Sequence, residues 1–161
     1  MRNIMSPLIG LAVAIGLVSP AAADWVITNG ASDGVIVARG AYEDGHKKFE
    51  VTCNTKRQNL FFGMGIHTGE PYNPQSVYPD NVPISVKVDG QQQPIVNGSF
   101  RNVDGQLVAF ATVSTGRPLA QILGAMAASE YTIDVQFAQR LYRFSPKGVT
   151  AAMRHLQEKC Q

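Results

Sequence analysis

Two cysteines, three histidines and one tryptophan are all that 161 residues hold of the side chains that most often ligate metals, attack substrates or anchor stacked ligands. There is no C-x-x-C, no H-E-x-x-H and no pair of histidines at helical or short-hairpin spacing, so no metal site is legible. There is no G-x-S-x-G elbow, no G-x-G-x-x-G and no P-loop. No catalytic residue, cofactor or metal is therefore assigned. Charge is sparse too: 14 basic and 12 acidic residues leave a formal net charge of +2. A nucleic-acid binder needs a strongly basic face, so that partner class is excluded. The adjacent basic pairs Lys47-Lys48 and Lys56-Arg57 read as solvated strand ends.

The apolar run from Leu8 to Val18 is too short to cross a membrane, which takes roughly 20 residues. Arg2 precedes it and Pro20-Ala21-Ala22-Ala23 follows it, the pattern of an export leader cleaved after an A-x-A site. Residues 1–23 are expected to be a signal peptide, and residues 24–161 a single secreted β-rich domain with no stable membrane insertion. Export puts Cys53 and Cys160 in an oxidising compartment, and two cysteines there favour one disulfide. Closing a loop of about 100 residues contributes up to about 4.7 kcal/mol in the chain-entropy model.

Along the chain the dominant period is two. Val35 to Arg39 is β-branched and reads as a strand. In Lys48–Cys53, Phe49, Val51 and Cys53 share one face, which aims Cys53 at the core. Leu60–Ile66 is a third strand, and its Gly63 and Gly65 predict a bulge or a close backbone approach. Ile84–Val88, Ile95–Val103 and Leu107–Val113 form a meander, joined by the turn signals Asp89-Gly90 and Asp104-Gly105. Pro118 opens a short helix with Leu119, Ile122, Leu123 and Met126 at helical spacing. Tyr131, Ile133, Val135 and Phe137 share one face of another strand, and Leu141–Phe144 pairs with it.

The tail returns to helical period. Ser145 is placed as N-cap and Pro146 as the first helical residue. Val149, Leu156 and Cys160 fall within about 40° of one another on the helix, so Cys160 faces the core. Both cysteines point inward by independent periodicities, which supports their pairing. The expected fold is a mainly antiparallel β-sandwich with a short helix and a C-terminal helix held on the sheet by the Cys53–Cys160 disulfide.

The segment His67–Pro83 breaks these patterns. It holds Pro71, Pro74, Pro79 and Pro83 and reads as one long irregular loop, because proline lacks a ladder donor and fixes its own φ. Loops of that length in compact domains are often functional. Its Tyr72 and Tyr78, with His67, Glu70 and Asp80, make the candidate binding loop. The bland alternative is that the tyrosines fold back over an open edge of the sandwich. His67 with Glu70 would be half a metal site at most and reads as a plain loop histidine.

VKVDGQ at 86–91, YTIDVQF at 131–137 and FSPKGVTAAMRHL at 144–156 resemble a family of small exported bacterial proteins, the invasion-associated locus B family. The resemblance covers the second half of the chain and none of its motifs is catalytic. It implies a periplasmic or surface-associated β-sandwich with a role in envelope function or host interaction. Together these readings lead to a non-enzymatic periplasmic or cell-surface binding or accessory protein that acts on a protein partner, for instance as an inhibitor or immunity protein. The alternatives are a small envelope hydrolase with dispersed catalytic residues, or a structural subunit of an envelope complex.

Overall fold

The computed structural model describes residues 24–29, 34–42, 45–55, 61–114 and 116–160. The expected signal peptide lies outside the described residues, as do Lys56 and Arg57. Within them the chain is mainly β, with strands β1 (Trp25–Asn29), β2 (Val35–Ala41), β3 (Lys48–Asn54), β4 (Phe61–Pro71) and β5 (Val82–Val88). Then come β6 (Gln91–Gln92), β7 (Val96–Val103), β8 (Gln106–Ser114), helix α1 (Arg117–Ala127), β9 (Ile133–Phe137), β10 (Arg140–Phe144) and helix α2 (Val149–Cys160). All pairings are antiparallel, in the order β1-β2-β3-β4-β8-β7-β5-β9-β10, with β6 beside β5.

Register makes the core. Gly40, Phe49, Ile66, Ala109 and Phe100 lie opposite one another across five strands, and Ala38, Val51, Met64 and Ala111 form the next row. Ile36, Cys53, Phe62 and Val113 follow, so side chains alternating with period two bury one continuous face. The strand β5 is the corner. Its first half, Val82–Ile84, pairs with β7, and its second half, Ser85–Val88, pairs with β9. The stepped pairing curls the sheet into a half-barrel, and β5, β9 and β10 come to face the first strands. Phe144 of β10 meets Phe49 of β3 at 5.9 Å between ring centroids. The fold class is thus the expected one, with its two facing halves drawn from a single curled sheet.

Both helices present the stripes read from the sequence. Leu119, Ile122, Leu123 and Met126 of α1 are buried, as are Val149, Ala152, Met153, Leu156 and Cys160 of α2. A helix this short is marginal alone. Fully burying Val149, Met153 and Leu156 supplies on the order of 5 kcal/mol, so packing is what holds it. Cys160 is bonded to Cys53 across 107 residues, with Cα atoms 6.3 Å apart. Gly63 and Gly65 mark a close approach. The Phe110 ring crosses them on the outer face, and a Cβ at Gly63 would lie 2.4 Å from its Cζ.

Three expectations differ from the structure. The strand β4 runs on through His67 to Pro71, so the irregular segment is shorter than His67–Pro83. The reason is continued pairing: His67 lies opposite Val108 and Pro71 opposite Gln106, with an irregularity between them at the left-handed Gly69. Helix α2 starts at Val149, because Gly148 (φ 85°) interrupts the turn ahead of it. Ser145 Oγ accepts from the Lys147 N–H in a local turn and does not cap the helix. Tyr131 is 73% exposed and precedes β9, since the backbone there is tied to Asp89.

Candidate functional site

The end of β4, the 72–81 loop and the β9–β10 turn converge on an open cleft of about 500 Å³. Thr68, buried, donates its hydroxyl to the Leu107 carbonyl (2.9 Å) and accepts from the Glu70 N–H (3.1 Å). That local bond turns Glu70 outward, where its carboxylate pairs with the Arg140 guanidinium at 2.7 Å. The hydrogen bond from Arg140 to Glu70 raises the guanidinium pKa above its ordinary value, against a smaller opposing effect of burial.

The loop is braced from inside. The Tyr72 N–H donates to the Gly105 carbonyl at 2.8 Å, and the Gln75 N–H donates to Asn73 Oδ1 at 3.0 Å. The Asn73 N–H donates to the Tyr78 hydroxyl at 3.1 Å. Tyr72 and Tyr78 stack with centroids 5.3 Å apart, and Tyr78 leans on Phe100 at 5.4 Å. Ring contacts continue inward from Phe100 to Phe137 and Tyr142, then through Tyr42 and Phe144 to Phe49 and Trp25. The tyrosines are half-buried: they fold back onto the sheet and still form one rim of the cleft.

The five residues expected to form one loop site fall in three places. Glu70 and Tyr78 line the cleft, with Tyr72 stacked beside it. His67 is on the outer face of β4, where its Nε2 lies 3.1 Å from Glu50 Oε2. Glu50 also takes Arg39 Nε at 2.5 Å. Burial pushes the Glu50 carboxyl upward, but the hydrogen bond from His67 and the charges of His67 and Arg39 outweigh it and leave the pKa lowered. Asp80 borders a separate shallow hollow of about 300 Å³ with Ser99, Arg101 and Phe110. Arg101 stands over the Phe110 ring at 4.6 Å, a cation–π contact.

Sequence reasoning missed Phe100, Ala138 and Arg140 as cleft residues. Arg140 comes 70 positions after its partner, and no period links the two. Ala138 and Gln139 both take left-handed backbone (φ 43° and 64°), and neither residue type announces it. Among the described residues no group of three His, Cys, Asp or Glu side chains could hold a metal ion. No helix among them is long and apolar enough to cross a membrane. Compared with family models, curated proteins and solved structures, the chain matches none.

Proposed function

We propose that this chain is a non-enzymatic binding or accessory protein of a bacterial envelope compartment, periplasmic or cell-surface, and that it acts on a protein partner. One observation carries the reading: the stacked Tyr72–Tyr78 pair stands on a braced, proline-rich loop at the rim of an open cleft whose polar element is the Glu70–Arg140 pair. Tyrosines on a stiff backbone offer amphipathic contact area at low entropic cost. The Cys53–Cys160 disulfide is of the kind that persists outside the cytoplasm, which supports the compartment. The leader pattern at residues 1–23 supports export.

The likeness to the invasion-associated locus B family belongs to the same proposal. Two of the stretches that carry it are joined here, since Asp89 of 86–91 binds the backbone at the start of 131–137. The test is affinity capture from an envelope extract, comparing the wild type with Tyr72→Ala/Tyr78→Ala and checking that both have the same thermal midpoint. The double variant is expected to lose most of the captured partner. Undiminished capture would remove the cleft rim as the binding surface.

A further inference from the structure

Several charged and polar groups of this fold find partners within the chain. Arg39, Arg140 and Arg143 are ion-paired with Glu50, Glu70 and Asp134 respectively. Trp25 donates its backbone N–H to the Lys147 carbonyl at 3.1 Å and its indole N–H to the Ser145 carbonyl at 2.7 Å. The hollow beside Asp80 differs. Asp80, Asn81, Asn97, Ser99, Arg101 and Thr112 line it, and among the described residues none of these side chains has a hydrogen-bond or ion-pair partner. Asp80 and Arg101 bring opposite charges to one hollow without pairing.

The strands account for the convergence. Alternation places Asn97, Ser99 and Arg101 on one face of β7, opposite to Phe100, which lines the Glu70–Arg140 cleft. Phe110 lies across from Ser99 on β8, and Thr112 shares its face. At Gly98, β7 leaves β8 and pairs with Val82 of β5, a register that brings Asn81 level with Ser99. That crossing is tight: a Cβ at position 98 would lie 2.6 Å from the Phe110 carbonyl oxygen. Arg101 stands over the Phe110 ring at 4.6 Å, and that ring in turn rests on Gly63. Stacking holds the guanidinium by its face and leaves the N–H groups at its edge able to donate.

We propose that this hollow binds one neutral sugar ring, a hexopyranose. The lining chooses that class. One carboxylate and one guanidinium cancel, so no net charge is left to hold an ion. A sugar hydroxyl both donates and accepts, and the lining matches it: Asp80 accepts, Arg101 donates, and the two amides and two hydroxyls do both. Phe110 is the one apolar side chain in the lining, so a ligand that relies on burying hydrocarbon gains little here. A volume of about 300 Å³ is at the small end of ligand sites and suits a single ring. A zwitterion such as a free amino acid would engage Asp80 and Arg101 and leave most of the neutral groups idle. The hollow is on the opposite face of β7 from the cleft, so this site stands apart from the protein-binding surface.

The probes are the methyl glycosides of glucose, galactose, mannose and N-acetylglucosamine, each titrated into the folded protein and followed by backbone amide NMR. At least one is expected to shift the amides of Asn81, Asn97 and Ser99 saturably at millimolar concentration. The affinity is expected to hold in about 0.5 M NaCl, because a neutral ligand leaves no charge to screen. Asp80→Ala removes an ionised acceptor and is expected to weaken binding about tenfold. Asn97→Ala serves as the second variant should the first unfold. Glycine and acetate, a zwitterion and an anion, are expected to leave the same amides unmoved. No saturable shift from any of the four sugars overturns the proposal, as does a shift that the folded variants retain undiminished. A response to glycine or acetate that matches the sugars, or an affinity that falls with salt, overturns it as well.

Discussion

The turns at Asp89–Gly90 and Ala138–Gln139 bend the chain through the same left-handed backbone, with φ of 49° and 81° in the first and 43° and 64° in the second. Their chemistry is opposite. Asp-Gly suits that conformation, whereas Ala and Gln each give up about 1–2 kcal/mol to adopt it. The Asp89 carboxylate also accepts from the Ser129 hydroxyl (3.1 Å) and from the N–H groups of Glu130 (2.9 Å), Tyr131 (2.9 Å) and Thr132 (2.8 Å). It thereby fixes the exit of α1 to the C-terminal end of β5. Desolvation works to raise its pKa, but the three backbone donors and Ser129 together push it down to about 2. The second turn has a task of another kind: Ala138 lines the cleft beside Arg140. Strain of this sort persists where the surroundings hold it in place, and it gathers at functional sites. One turn secures the scaffold, and the other spends stability at the rim of the candidate site.

The largest expected effect is on the first turn. Asp89→Ala strips the 129–132 segment of its acceptor and should cost about 2 kcal/mol in denaturant unfolding, the nominal worth of four bonds to a charged group being discounted for solvent exposure. A loss below about 0.5 kcal/mol would erase the contrast between the turns. The next is its pH dependence. The folded-state pKa is about 2 against the ordinary 3.8, so the carboxylate contributes stability in full above about pH 4 and loses it as the pH falls towards 2. The gap in melting temperature between the wild type and Asp89→Asn should therefore narrow over that window. A constant gap would mean that the bonds do not depend on the charge. The smallest effect is expected at the second turn, where Gln139→Gly should raise stability by roughly 0.5–1 kcal/mol by relieving left-handed strain. A loss of stability there would show that Gln139 is held by contacts worth more than the strain.

What the sequence made legible was local. Asp89-Gly90 and Asp104-Gly105 announce their hairpins because those residue types suit positive φ. Cys53 and Cys160 could be paired because a period of two and a period of 3.6 each aim one of them inward. The helix stripes follow from the same arithmetic. The candidate site was only half legible, through Glu70, Tyr72 and Tyr78. Its other half comes from chain distant in sequence: Phe100 from β7, and Ala138 and Arg140 from the β9–β10 hairpin. Curling of the sheet at β5 brings them together, and no local pattern encodes that curl. The continuation of β4 past His67 was hidden for a similar reason. Its pairing with β8 outweighs the proline at its end, and the exposed Pro71 needs no ladder donor.

The bond between Trp25 and Lys147 has a consequence for the order of events in folding. The hairpins from β1 to β4 are made of near neighbours and can form as soon as their residues are available. The acceptors for the Trp25 indole and amide come 120 or more positions later, and the partner of Cys53 comes 107 positions after it. Contacts so far apart carry the loop-closure entropy that makes folding slow. A chain delivered from its N-terminus therefore waits with Trp25 and Cys53 unpaired until residues 145–160 arrive. Anything that detains the tail during that interval keeps the first strand waiting for its partner.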